Sequence, residues 1–416
     1  MLMNRVRTGA TSGDDWRAFV RNLYVHFPFC RRKCSYCALH SRAGASDGLR
    51  RDYVSVLAAA VDRFREQSAG AAFDTVYFGG GSPALCDLRP LFDSLRPLLV
   101  SSVRPAPSTS RQAPSTEFTV ELHPLDVNAE LLKALQAGGV NRISLGVQSL
   151  DDAVLADMGR GYTFAEAERA FGIVREHFDN AGIDLIVGYP GEPTTLTPRH
   201  ARLAKWGLRH CSVYSLILEE KSILGHRLLS TAVEGNRAMA VDGARELSSE
   251  LPSDDATMNR LALVARLLGE LGLERYEISN YAQPGYECRH NLAVWRGEDY
   301  FGLGEGAHGR VGLFRTRNCL DLTPVSRLTS SPASPVSRLP SSLAPVVETV
   351  SPESDAKERR LFRLRTREGL DTSGCPAWPP ALEKFVAEGL LTKEGAVYRL
   401  TDRGTEVCDS ILAEVV

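Results

Sequence analysis

The chain has no charge of either sign to spare. Its 416 residues carry 49 Lys plus Arg against 51 Asp plus Glu, a net of −2. No strong field therefore draws it toward nucleic acid or an anionic membrane surface. It also lacks any apolar run of about 18 residues, the length that would span a bilayer. Residues 1–22 (MLMNRVRTGATSGDDWRAFVRN) lack the apolar centre of a secretory signal. A soluble, cytoplasmic protein with no transmembrane segment is expected. The arginines of that start leave an organelle stroma or matrix address open, although Asp14 and Asp15 speak against one. Regular cysteine spacing is missing too. Of nine cysteines, three cluster at 30, 34 and 37, and six scatter at 86, 211, 288, 319, 375 and 408. An odd, irregular set excludes a disulfide framework; the scattered six suit small buried apolar positions, and the cluster suits metal or redox work.

What is present is alternation. Six short β-type runs, LYVHF (23–27), DTVYFGG (74–80), EFTVEL (117–122), RISLGVQ (142–148), IDLIVGYP (183–190) and CSVYSLIL (211–218), are separated by amphipathic helical stretches. Examples of the latter are residues 49–67 and the segment 128–139, opened by Asn128 as N-cap and closed by glycines. Repeated β-then-α units predict an α/β fold with a parallel sheet and right-handed crossovers, doubly wound or barrel-shaped. Residues 258–279 and 299–312 extend the same domain, so the core is expected over 23–320, after an N-terminal extension at 1–22. Two Ser/Pro/Thr-rich stretches, about 101–116 and 321–350, bury too little apolar surface to fold and are expected as insertions, the second marking a domain boundary. Residues 351–416 then read as helix, helix, hairpin, helix, a winged-helix-like domain. That module holds ten Lys or Arg against twelve Asp or Glu, poor for neutralising phosphates, so nucleic acid is not the expected partner.

The chemistry concentrates in YVHFPFCRRKCSYC. Cys30, Cys34 and Cys37 follow the first strand at spacing C-x3-C-x2-C, able to converge on one centre. Thiolates hold iron–sulfur clusters. A structural zinc ion would want a fourth ligand, for which His40 is the nearby choice. Three unconnected thiols are the plainer alternative, disfavoured by the basic RRK spacer that leaves them exposed and reactive.

At this point the motif, followed by a GGG-containing strand end, resembles the radical S-adenosylmethionine (SAM) superfamily. The resemblance implies a partial (β/α)6 TIM-like barrel with the site at the carboxyl ends of the strands. It implies three cysteines holding three irons of a [4Fe–4S] cluster, with SAM chelating the fourth. YVHFPFCRRKCSYC, VYFGGGSPALC, VELHP, ISLGVQSLDDAVLADMGR, IDLIVGYPGEP, YEISNYAQPGYECRHNLAVWRG and YFGLGEGAHG together resemble the coproporphyrinogen III dehydrogenase group, and within it the heme chaperone branch.

On that resemblance Cys30, Cys34 and Cys37 are the metal ligands. Tyr24, Tyr36, Gly79, Gly80, Gly81, Ser82, Glu121, Gln148, Arg160 and Asp184 fall on cofactor positions. Glycine at the end of the second strand lets backbone approach SAM closely. Asp184 lies within apolar IDLIVG, where an unpartnered carboxylate is costly, so a partner is expected. Tyr24 as a core aromatic, and Glu121 as a solvated strand-end carboxylate, are the plainer roles. HNLAVW, His290 to Trp295, resembles an H-N-x-x-Y-W element linked to heme, with Val294 where tyrosine is usual. It makes His290 a candidate axial ligand to heme iron, or else a histidine that only fixes its loop. His308 is taken as structural.

Two functions follow, both implied by the resemblance. One is a carrier that binds heme and passes it to a respiratory hemoprotein, in some cases at a membrane surface. The other is an enzyme that oxidatively decarboxylates coproporphyrinogen III with a SAM-derived radical; a radical SAM enzyme acting on another substrate is a third. The dehydrogenase pattern continues C-x3-C-x2-C-x-C, whereas the residue two beyond Cys37 is Leu39. Its absence, with HNLAVW and EISN (277–280), favours the carrier.

Overall fold

The computed structural model describes residues 20–68, 71–100, 115–234, 251–318, 346–373 and 379–415. Six parallel strands follow one another in both sequence and space: β1 Asn22–Phe27, β2 Thr75–Gly80, β3 Glu117–Leu122, β4 Arg142–Gln148, β5 Ala181–Val187 and β6 His210–Ser215. The helices between them include α1 Asp47–Gln67, α2 Arg89–Leu95, α3 Ala129–Ala137, α4 Asp152–Asp157, α5 Phe164–His177 and α6 Pro198–Arg202. After β6 come α7 Ile223–Glu234 and α8 Asp254–Glu270. The arrangement is the expected partial (β/α)6 barrel. It does not close: the sheet continues past β6 through the short strands β8 Asn280–Ala282 and β7 Glu274–Arg275. Past β1 it continues through β9 Tyr300–Leu303, β10 His308–Val311, β11 Phe314–Arg317 and β12 Val346–Thr349.

A period of two explains which face each strand buries. Outward residues Leu23, Val25, Phe27, Val76, Phe78, Phe118, Val120, Ile143, Leu145, Ile183 and Leu185 are buried together with helix residues such as Leu57, Phe92, Leu132 and Phe171 in one core. The alternate positions point into the barrel and are polar. Asn22 Oδ1 accepts from Thr75 Oγ1 at 2.8 Å, Tyr77 donates to Glu121 at 2.8 Å, and Ser144 donates to Asp184 at 2.9 Å. The helices therefore supply the apolar core, and the barrel interior is a polar column.

Local signals worked as expected at α3, where Asn128 Oδ1 accepts from the Leu131 amide at 2.9 Å. Both expected insertions need trimming. Residues 101–114 and 319–345 lie outside the described residues, but Thr116 is buried and its hydroxyl donates to Phe73 O at 2.6 Å. Residues 346–349, expected in the Ser/Pro-rich linker, pair instead with β11 as an edge strand, since VVET has the β-branched makeup of a strand. Of the expected extension 1–22, Val20 is already buried and Asn22 opens β1.

The C-terminal segment keeps the expected order: α10 Pro352–Arg363, α11 Pro379–Ala387, then the hairpin β14 Leu391–Glu394 and β15 Val397–Leu400, with β13 Leu370–Asp371 beside β15. Helices α12 Asp402–Glu406 and α13 Cys408–Val415 end it. It has its own apolar cluster around Leu361, Leu382, Phe385 and Ile411. It is tied to the barrel by Arg310 to Asp355 at 2.7 Å and Arg359 to Asp299 at 2.8 Å. Among the described residues no helix is long and apolar enough to cross a membrane.

Candidate functional site at the barrel mouth

The cysteine loop leaves the carboxyl end of β1 and is fixed at its middle. The Ser35 amide donates to Met158 O at 3.1 Å, Leu224 N donates to Ser35 O at 2.7 Å, and Ser35 Oγ lies 2.8 Å from the Tyr189 hydroxyl. Backbone bonds to two neighbouring barrel units thus hold the segment bearing Cys34 and Cys37. All three thiols are free and half-buried, and burial pushes those of Cys30 and Cys37 above their ordinary range. They are protons to be displaced when metal arrives. Arg160 aims Nη1 at Cys34 Sγ from 3.2 Å and Nη2 at Gly146 O from 2.7 Å. It sits in the turn after α4 and not in the next helix.

The glycine turn closes the opposite wall. Gly81 N donates to Phe27 O and Ser82 N to Phe29 O, both at 2.6 Å. A Cβ on Gly81 would stand 2.4 Å from Phe29 O, and one on Gly79 would stand 2.9 Å from Glu121 Oε2. Glycine at 81 lets two backbones meet, and glycine at 79 leaves room for the Glu121 carboxylate. Ser82 donates to Asp126, which also accepts from Arg31 Nε at 2.6 Å, so one buried carboxylate ties the glycine turn to the cysteine loop.

Together these walls enclose a cavity of about 330 Å³. Cys30, Cys34, Cys37, Tyr36, Gly80, Gly81, Ser82, Glu121, Gln148, Arg160 and Asp184 all line it. Gln148 has φ +68, the one non-glycine residue with positive φ among the described residues, beside a register shift between β4 and β5. Such local strain gathers at functional sites. Asp184 has the partner its apolar run demanded, Ser144.

Glu121 accepts from Gly80 N at 3.0 Å and from the Tyr77 hydroxyl. Burial, then the charge of Asp184, raises its carboxyl from 4.5 to about 7. A raised carboxyl binds its proton more tightly folded than unfolded, so stability is fully present below pH 4.5 and is lost as pH rises toward about 7. Glu121→Gln is expected to flatten the stability profile over that window, as measured by urea unfolding at successive pH. An unchanged slope would show that Glu121 is not the group responsible.

Three residues singled out from the sequence do not line the cavity, one of them Gly79, which lies against the Glu121 carboxylate. Tyr24 does not line the cavity: its hydroxyl is 2.9 Å from His26 Nδ1, and its ring packs on Tyr77 and His290. His290 stands at the opposite end of the barrel. It lies on α9 Arg289–Trp295, which plugs the amino ends of the strands. Its backbone amide donates to Glu117 at 3.1 Å, and its Nδ1 is 2.8 Å from Thr75 Oγ1. At 5% exposure it has no face to offer a macrocycle, and burial followed by the charge of Arg142 lowers it to about 3. In this structure the residue packs as a buried, hydrogen-bonded side chain of that helix. His290→Ala should cost about 2–4 kcal/mol in urea unfolding by emptying that space; no loss would contradict the plug.

His40, the candidate fourth zinc ligand, turns Nε2 to Glu305 at 2.7 Å. Among the described residues no three His, Cys, Asp or Glu side chains are grouped to hold a single metal ion. Reading the sequence missed Tyr77, His123, Asp126 and Tyr214, all at the cavity. Tyr77 and Tyr214 were findable by alternation, as Tyr77 is two before Gly79 and Tyr214 two before Leu216.

An open six-stranded barrel carrying three thiols at its mouth defines a radical SAM protein, and residues 24–203 match the family described as the Radical SAM superfamily. The chain is 30% identical over 398 residues to the heme chaperone HemW of Mycobacterium tuberculosis, covering 94% of this chain and 93% of that one. It is 33% identical over 298 residues to the heme chaperone HemW of Escherichia coli, covering 70% of each. Its fold matches that of the solved coproporphyrinogen III oxidase HemN of Escherichia coli with TM-score 0.72 at 18% identity, over 97% of this chain and 93% of that one. The chain belongs to the HemW family of radical SAM proteins.

Membership implies a [4Fe–4S] cluster and SAM, and the residues present fit both. The donor set is three thiols, with no fourth such side chain grouped with them among the described residues. The cavity beside it offers two carboxylates, Glu121 and Asp184, and one guanidinium, Arg160. SAM, with a sulfonium, an ammonium and a carboxylate, is complementary to that set.

Proposed function

We propose that the chain is a heme chaperone, binding heme and handing it to an acceptor hemoprotein, with the cluster and SAM held at the barrel mouth. In this reading Cys30, Cys34 and Cys37 hold the cluster. Tyr36, Gly80, Gly81, Ser82, Glu121, Gln148, Arg160 and Asp184 surround SAM. Bound there, the pair supplies a one-electron reductant beside a sulfonium. The chain's own contribution is electrostatic and steric. Arg160 offsets thiolate charge at Cys34, Glu121 is held in place by the Gly80 amide and the Tyr77 hydroxyl, and the tight Gly79 to Gly81 turn leaves room at the wall.

The observation that carries the chaperone reading is Leu39. It stands where the dehydrogenase pattern has its further cysteine, and it lines the cavity at 54% exposure. An apolar side chain there adds no thiol for redox chemistry and offers contact area to an apolar ligand.

The test titrates cluster-loaded protein with hemin and, separately, incubates it with coproporphyrinogen III, SAM and reductant. Saturable hemin binding without protoporphyrinogen IX is expected. Formation of protoporphyrinogen IX would overturn the chaperone in favour of the dehydrogenase.

A further inference from the structure

The segment between Cys34 and Cys37 is held from behind by a chain of side chains that ends at the protein surface. Ser35, next to Cys34, is buried and places its hydroxyl 2.8 Å from that of Tyr189. Tyr189 follows β5, is fully buried, and does not line the cavity. Its hydroxyl donates to Asp157 Oδ2 at 2.6 Å. Arg227 of α7 closes the chain, with Nη1 2.9 Å from Asp157 Oδ1 and Nη2 3.1 Å from Oδ2.

Counting protons gives the chain a direction. Hydrogen bonds from Arg227 hold the Asp157 carboxyl below its ordinary range, so it is ionised and can only accept. Tyr189 has one hydroxyl proton and spends it on Asp157. Ser35 must therefore give its own proton to Tyr189, which commits that hydrogen away from the neighbouring cysteine sulfurs. Hydrogen bonds to sulfur are among the levers that tune an iron–sulfur cluster.

Packing points the same way. Tyr189 lies with Val154, Met158, Leu224 and Leu228 in a small apolar cluster separate from the main core, and Tyr36 of the cysteine loop packs against it. The elements that carry Asp157 and Arg227 are also those whose backbones grip Ser35, at Met158 O and Leu224 N. One polar chain and one apolar cluster thus clamp the same three elements.

We infer that Tyr189, held by Asp157 and Arg227, is a positioning residue for the cluster: it fixes the Ser35 hydroxyl and with it the segment bearing Cys34 and Cys37. Partners of this kind, one step removed from the ligands, orient them and tune the metal. The inference deepens the reading in which the three thiols hold the cluster, and it rests on that reading.

The experiment reconstitutes full-length wild type, Ser35→Ala, Tyr189→Phe, the double variant Ser35→Ala/Tyr189→Phe and Asp157→Asn under anaerobic conditions. Tyr398→Phe is the control, since it removes the hydroxyl of a fully buried tyrosine that donates to Glu383 at 2.8 Å in the C-terminal segment. Iron release to a ferrous chelator should be about tenfold faster in Ser35→Ala and in Tyr189→Phe. The double variant should be no faster than the quicker single one, because both remove the same bond. Asp157→Asn should fall between wild type and Tyr189→Phe. The electron paramagnetic resonance signal of the reduced cluster should change shape in Tyr189→Phe and keep its wild-type shape in Tyr398→Phe, which a mere loss of fold stability would not produce. If urea unfolding shows that Tyr189→Phe folds poorly, Ser35→Ala decides on both readouts. Wild-type release in both single variants, additive effects in the double variant, or faster release with an unchanged signal would overturn the positioning role and leave the cluster assignment standing. Wild-type protein that takes up no cluster would overturn both.

Discussion

Replacing Cys34 with alanine should strip the barrel mouth of its cluster. Anaerobic reconstitution of the wild type should yield about four irons per chain, the content of one cubane cluster, and Cys34→Ala should fall to background. The expectation comes from geometry as much as from motif. Cys34 is flanked by Ser35, whose amide and carbonyl are fixed by Met158 and Leu224, and it faces the Arg160 guanidinium. The other two thiols cannot shift to cover for it, because the loop is pinned between them. Cys408→Ala, a buried thiol in the C-terminal apolar region, should keep full iron. Two or fewer irons in the wild type, with tightly held zinc, would end the cluster assignment.

The second large effect is expected at Gly80. Its φ of +101 is strained for any L side chain, and an added Cβ would lie 2.4 Å from the His26 ring. That ring has no room to yield, being held between the Tyr24 hydroxyl at 2.9 Å and His40 O at 2.8 Å. Gly80→Ala should therefore cost about 2–5 kcal/mol, from backbone strain plus overpacking. It should also loosen the amide that holds Glu121, so SAM affinity measured by equilibrium dialysis should drop at least tenfold. Gly172, in the middle of α5 with nothing within 4 Å of its would-be Cβ, is the control. Gly172→Ala should be neutral, or stabilising by about 0.5–1 kcal/mol. Equal effects at the two positions would refute the steric account.

Much of this was legible before any coordinates. Strand alternation is local, so the first four barrel strands were located within a residue of their observed ends, while the expected β5 and β6 ran three residues too far. The Asn128 cap was local too. Glu121, Gln148 and Asp184 came from the family resemblance, and strands in register bring them to one rim. What could not be read is which end of the barrel a later helix seeks. His290 lies 215 positions from Thr75 in sequence, and its place is set by Glu117 and Thr75, groups that no local pattern connects to HNLAVW. The position of Tyr24 behind the cavity wall has a subtler reason. Its strand was placed correctly, but a residue near the bottom of an inward face reaches its neighbours Tyr77 and His26 before it reaches the opening. The strand Val346–Thr349 was hidden by the Ser/Pro-rich composition just before it.

The floor plug formed by α9 has a kinetic meaning. A vessel stopped at one end has a single doorway, and whatever lies deepest must enter first and leave last. The way one short helix packs against Thr75 and Glu117 thus leaves the interior of the barrel one end from which to be filled.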